Sequence, residues 1–166
     1  MEKLLRALAV LCAVSLTDSV LAIEEGKPAP KFEARLLDGK PFSLADANGK
    51  VVILNFWATW CAPCRQEMPA FEAYYRKHKD EGVEIVAISM DRPVDDAKVD
   101  LVMRQFSYPA ALVRNASFKD YGRIWTLPLT FVIDRNGILR KDEWQPDPPI
   151  DLPALEKLVT PLLTKP

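Results

Sequence analysis

Residues 51 to 64 read VVILNFWATWCAPC, an apolar and β-branched run from Val51 to Phe56 that leads into two cysteines, Cys61 and Cys64. The run is short, and only Asn55 interrupts it, so it reads as a strand covered on both faces. Beyond Cys61 the pattern changes. Met68, Phe71, Tyr74 and Tyr75 recur at helical spacing as far as Lys79, and Gly82 closes the segment. The cysteines therefore stand where a buried strand opens into a helix.

The flanking sequence supplies the remaining elements. Upstream, Glu24 to Pro30 is an extended, proline-limited arm. Phe32, Ala34 and Leu36 alternate with polar residues, turn at Asp38-Gly39, and alternate again through Phe42 and Leu44. Asn48-Gly49 is a second turn. Downstream, Val83 to Ser89 is a second buried strand, and Pro93 opens a helix carrying Val99, Val102, Met103 and Phe106. Ala110 to Val113 is a short strand, and Ser117 to Tyr121 a helical turn stopped by Gly122. Leu129 to Ile133, the turn Asn136-Gly137 and Ile138 to Trp144 form a hairpin. Gln145 to Pro149 is a stiff connector. Asp151 caps a last helix with Leu155, Leu158, Val159 and Leu162, which Pro161 bends or ends. This order predicts an α/β chain: a thioredoxin-like mixed sheet flanked by helices on both faces, with an N-terminal β-hairpin and a small central insertion.

The composition fits that picture. The chain has 166 residues, 49% hydrophobic and 27% charged, with three cysteines, one histidine and 14 prolines. That length suits one compact domain. A net charge of −1 provides no basic field for a phosphate backbone, so nucleic acid is not an expected partner. No interior stretch reaches the roughly 18 to 20 apolar residues that span a bilayer.

Residues 1 to 22 stand apart. Lys3 and Arg6 precede an apolar stretch from Ala7 to Leu16, and Val20-Leu21-Ala22 offers a cleavage site. This reads as a secretory signal peptide, or else an uncleaved membrane anchor. Cys12 follows Leu11, where a lipoprotein signal wants a small residue, so it counts as signal filler. The thioredoxin-like domain is then 23 to 166, with two cysteines only.

In the first turn of a helix, residues three apart have Cα atoms about 5 Å apart, inside the window for a disulfide. Cys61 would stand at the helix N-terminus, where free N–H groups and the helix dipole favour a thiolate. Its pKa is expected below the free value of about 8.5, making it an exposed nucleophile. Cys64, one turn inward, is expected to be buried and to act as the resolving thiol. Three other readings compete. A zinc site needs about four ligands, and His78 is the one further soft ligand. A copper carrier using two cysteines and a histidine would need His78 brought back along its own helix. A structural disulfide closing so small a ring does little for stability. No metal and no cofactor are therefore expected.

Neighbouring residues tune this chemistry. Pro63 fits the first helical turn, and Ala62-Pro63 places no cation between the cysteines, which points to a reducing couple. Glu67 shares a helix face with Cys64, either to exchange its proton or as an ordinary solvated glutamate. Asn55 needs a buried partner or tunes protonation. Pro69 should kink the helix. Pro128 begins a strand and marks an edge or tight turn, with a cis bond conceivable. His78 reads as a packed or dipole-stabilising residue, and Trp60 as a flank to the sulfur.

Asn55 to Pro69 resembles the active-site segment of the TlpA/ResA-type thioredoxin-like family of exported thiol-disulfide oxidoreductases. Leu127 to Asp134 is similar to that family's cis-proline segment, with Arg135-Asn136-Gly137 as its turn, and Gly26 to Leu44 to its leading hairpin. The resemblance implies that Cys61 attacks, Cys64 resolves, and Glu67 is the active-site glutamate. It implies that Pro128 faces the disulfide and that the Leu127 backbone pairs with a substrate strand beside Trp60. Asn55 stands where thioredoxin has a buried aspartate. Two departures, Leu129 after the proline and the proline-rich stretch from Glu143 to Asp151, would alter the partner surface.

The expected function is an exported, monomeric protein-disulfide oxidoreductase, favoured as a reductase and periplasmic in location. By the resemblance, its partners would be disulfide-containing exported proteins such as apocytochrome c or copper-site proteins, with a membrane thiol donor to recharge it. The alternatives are a thioredoxin-fold peroxidase, disfavoured because Thr59 lies two residues before Cys61 rather than three, and a non-catalytic copper-handling or adaptor module. No spare segment exists for the dimerisation domain of an isomerase.

Overall fold

A computed structural model describes residues 23–145 and 148–164. The signal or anchor reading of residues 1 to 22 lies outside the described residues, as does the middle of the proline-rich connector. The described strands are β1 (Glu33–Leu36), β2 (Pro41–Ser43), β3 (Val51–Trp57), β4 (Val83–Ser89), β5 (Ala110–Ser117), β6 (Leu129–Ile133) and β7 (Leu139–Trp144). The helices are α1 (Ala62–His78), α2 (Asp96–Met103) and α3 (Leu152–Leu163). One mixed sheet runs β2-β1-β5-β4-β3-β6-β7.

β3 lies near the middle of the sheet, parallel to β4 and antiparallel to β6. All seven of its residues are buried. Its alternation divides the core: Val51, Ile53 and Trp57 belong to one cluster, Val52, Leu54 and Phe56 to the other. The first cluster receives Met68 and Phe71 of α1, Val99 and Met103 of α2, and Leu155 and Val159 of α3. All three α-helices thus cover one face. Among the described residues the opposite face carries no α-helix; the 3-10 turn Lys119–Tyr121, Phe32 and Ala47 are among the parts that cover it. The expectation of helices on both faces therefore holds in reduced form. The steps β3-α1-β4 and β4-α2-β5 move along the sheet in one direction, and right-handed crossovers then place both helices on the same side.

β5 is longer than the Ala110 to Val113 read from sequence. It pairs with β4 through residues 110 to 112 and with β1 through Ala111, Ala116 and Ser117. The leading hairpin supplies the neighbour that draws this more polar stretch into extended form. Phe106 lies beyond the end of α2. α1 runs on through Pro69, whose missing N–H leaves the carbonyl four residues earlier without its usual donor. Pro161 lies inside α3, which ends within a turn of it, and Asp151 caps that helix by accepting from the Ala154 N–H at 2.8 Å. Gly82, at φ 96°, ends the turn after α1 in a conformation that suits glycine.

Candidate active site

β3 and β4 end together, and the chain turns from β3 into α1 through Ala58, Thr59 and Trp60. The turn is held on both sides. The Met90 N–H donates to the Trp57 carbonyl at 2.8 Å, and the Cys61 N–H to that of Ala58 at 3.0 Å. Asp91, buried just past β4, takes the Thr59 N–H at 2.9 Å and the Thr59 hydroxyl at 2.6 Å. It also accepts from the Ser89 hydroxyl at 2.9 Å. Sequence reasoning missed Asp91. The signal available was an acid two residues past the largely apolar, buried strand Val83–Ser89, where burial demands partners. Replacing Asp91 with alanine leaves the Thr59 N–H and Ser89 hydroxyl without their acceptor. A loss of about 2 kcal/mol is expected in urea denaturation, and an unchanged midpoint would show that water replaces the carboxylate freely.

Cys61 is the N-cap of α1, and its Sγ accepts the Cys64 N–H at 3.2 Å. A thiolate at this sulfur therefore has a backbone donor and the helix dipole to stabilise it. Cys61 and Cys64 form a disulfide with Cα atoms 5.3 Å apart. Cys61 is 5% exposed and Cys64 2%. The expected contrast between an open and a shielded sulfur is therefore nearly absent in the oxidised state. The Cys61 sulfur is turned back over the helix start, where the bond to Cys64 and the Cys64 N–H both hold it.

Cys64, Glu67, Met68 and Phe71 lie on one buried stripe of α1. Glu67 is fully buried, which excludes the solvated-glutamate reading. Its Oε1 accepts the Ile150 N–H at 2.9 Å, whereas Oε2 is buried with no partner. Burial pushes its carboxyl up to about 7, against the lowering effect of the Ile150 N–H. Asn55 is buried on the same side of the sheet and donates through Nδ2 to Thr130 Oγ1 at 3.0 Å.

Leu129 of β6 pairs with Phe56 of β3, so Leu127 and Pro128 stand at the same end of the sheet as the disulfide. The Leu127–Pro128 peptide is cis. Leu127 is half-buried against the cluster that contains both cysteines, and Trp60 is 70% exposed. Pro63 lies in the first turn of α1. Leu129 does not alter a partner surface as expected. It is buried with Phe56 and Phe131, because strand alternation turns it away from α1.

His78 lies about 21 Å along the helix axis from Cys64. Its ring stands 3.2 Å from both Glu81 and Glu156 and packs on Tyr74, with ring centroids 4.5 Å apart. It ties α1 to α3 and is remote from the sulfurs. Among the described residues, no group of three or more histidine, cysteine or acidic side chains is arranged to hold a metal.

The AhpC/TSA family model matches residues 25–142. The chain belongs to the AhpC/TSA family. Its relatives there include the thiol-disulfide oxidoreductase ResA of Bacillus thuringiensis subsp. konkukian, 42% identical over 118 residues, or 69% of this chain. The match spans 66% of that ResA. The thioredoxin-like protein YneN of Bacillus subtilis is 35% identical over 123 residues, covering 72% of this chain and 71% of YneN. Among solved structures, a thiol:disulfide interchange protein of the thioredoxin family from Chlorobium tepidum TLS superposes with a TM-score of 0.69 at 28% identity. That superposition covers 85% of this chain and 98% of the other. The AhpC/TSA-family chain thus has a thioredoxin-like fold, with Cys61 and Cys64 of its C-x-x-C segment at disulfide distance.

Proposed function

We propose that this protein is a thiol-disulfide oxidoreductase that reduces disulfides in exported partner proteins. The observation that carries this reading is a disulfide at the N-terminus of α1 with the buried, partly unpartnered carboxyl of Glu67 one turn further on. Reduced Cys61, as thiolate, attacks one sulfur of the partner disulfide. A mixed disulfide forms, and one partner sulfur leaves as a thiolate that takes a proton from solvent. Cys64 gives its proton to the Glu67 carboxylate and attacks the Cys61 sulfur. The second partner sulfur leaves and is protonated in turn. Two electrons have passed to the partner, and Cys61 and Cys64 are again bonded as in the structure. A membrane thiol donor then returns two electrons to the pair. Trp60, Leu127 and Pro128 form the surface on which the partner chain rests.

Two features support the reducing direction. No cation lies between the cysteines, and ionised Glu67 disfavours a second negative charge on the sulfurs. Both weaken the thiolate form and so favour the disulfide. Equilibration with glutathione should give a potential below about −200 mV, whereas a value near −120 mV would make the protein an oxidase. Export rests on the sequence of residues 1 to 22. Among the described residues, no helix is long and apolar enough to cross a membrane. Apocytochrome c and copper-site proteins are the candidate partners by family resemblance. A peroxidase is less well supported, since the Thr59 hydroxyl is engaged by Asp91 and its spacing from Cys61 is one residue short.

A further inference from the structure

The parallel pair β3 and β4, and the antiparallel β6, bring three loops to the disulfide end of the sheet. They are residues 58 to 61, 90 to 95 and 122 to 128. Four large hydrophobic side chains are exposed among the described residues, and three of them lie on these loops: Trp60 at 70%, Val94 at 76% and Trp125 at 75%. Exposed tryptophans are costly to leave in water and are favoured where a partner covers them.

The charges on this end are equally one-sided. Arg65 follows Cys64 on the exposed side of α1, Arg92 follows Asp91, and Arg123 stacks over the Trp125 ring at 4.1 Å from its centroid. Arg92 stands 3.8 Å from Asp95, which is held more closely by Lys98 at 2.8 Å. Within residues 57 to 66, 89 to 95 and 122 to 128 the acids are Asp91 and Asp95: Asp91 is buried and already takes three hydrogen bonds from Thr59 and Ser89, and Asp95 is engaged by Lys98. Asp147, in the connector, lies outside the described residues. On a chain of net charge −1, this concentration of arginine is local, and the stacking on Trp125 presents one guanidinium edge-on to a carboxylate.

We propose that the disulfide end of the sheet is a docking face for acidic polypeptide segments, whose carboxylates meet Arg65, Arg92 and Arg123 while their apolar side chains cover Trp60, Val94 and Trp125. The inference rests on the thiol-disulfide oxidoreductase reading and narrows its substrates to disulfides flanked by Asp or Glu. Charge complementarity of this kind acts on the encounter rate and fades with salt.

The test uses the reduced full chain and three disulfide peptides of equal length, with cysteines flanked by Glu, Ser or Lys. At low ionic strength the Glu peptide should be reduced about tenfold faster than the Lys peptide. High salt should shrink that ratio towards one, and so should the triple variant Arg65→Gln, Arg92→Gln, Arg123→Gln. Equal rates for the three peptides, or a preference untouched by salt and by the triple variant, overturn the docking inference and leave the oxidoreductase reading standing. Failure to reduce any peptide, or a small uncharged disulfide, overturns that reading instead. Docking is then read separately in a Cys61→Ser, Cys64→Ser form, whose tryptophan fluorescence should respond to the Glu peptide at lower concentrations than to the Lys peptide. A concentration-dependent dimer that buries the same tryptophans would assign the face to a second copy of this chain and overturn the proposal.

Discussion

Replacing Cys64 with alanine should abolish turnover and leave Cys61 covalently joined to its partners. In the proposed cycle the two sulfurs divide the work: Cys61 forms the mixed disulfide, and only a thiol held within bonding distance breaks it. Cys64 is that thiol, since its Cα lies 5.3 Å from that of Cys61 on the first turn of α1. Without it, release depends on solution thiols, which lack the effective concentration of a neighbour on the same helix. Effective molarities for well-placed groups reach about 10⁵ M or more, so the mixed disulfide should persist through non-reducing electrophoresis. Expressed in an exporting cell, the variant should therefore yield adducts whose masses identify the physiological substrate. Adducts with cytochrome c precursors or copper-site proteins would choose between the candidate partners. An absence of adducts, with Cys61 free and reactive, would contradict the substrate-reductase reading.

The second large effect concerns Glu67. Its carboxyl ionises near 7 in the folded protein against an ordinary value of 4.5, and burial is the main cause. Below about 4.5 the group is protonated in both folded and unfolded chains, and its contribution is constant. Between 4.5 and 7 the folded protein keeps a proton that the unfolded chain has released. Stability therefore falls as pH rises through this interval, on the order of 3 kcal/mol in all. Glu67→Gln keeps an acceptor for the Ile150 N–H and removes the titration. The difference between wild-type and variant stability, from denaturation at a series of pH values, should grow in the variant's favour as pH rises from 5 to 8. A difference that stays constant would show that Glu67 ionises normally. In exchange assays the same variant should resolve its mixed disulfide about 10²-fold more slowly, since Cys64 has lost its proton acceptor. Unchanged resolution would remove Glu67 from the mechanism while leaving its effect on stability intact.

Much of this site is legible in the order of residues along the chain. The buried run from Val51, the helical spacing after Cys61 and the position of Glu67 on the stripe with Met68 and Phe71 are local patterns, and the structure keeps each. The spacing left Glu67 open between a proton-exchanging residue and a solvated one, and the packing of α1 decided for burial. Asp91 escaped notice because its role depends on a turn more than thirty residues away in sequence. Leu129 was misjudged because its facing depends on register against Phe56 rather than on its closeness to Pro128. Cys61 looked open because a helix N-terminus is usually exposed, whereas here the sulfur is drawn inward.

Sequence alone determined the strand-to-helix junction, the spacing that lets two sulfurs join and the residue types available to move a proton, because these depend on contacts within one or two turns of chain. Tertiary structure alone decided which acid braces the turn before Cys61, that all three α-helices share one face, and that Trp60, Val94 and Trp125 emerge at a single end of the sheet. Those outcomes depend on which strands become neighbours and in what register, and pairing between distant segments is set by the packing of the whole core.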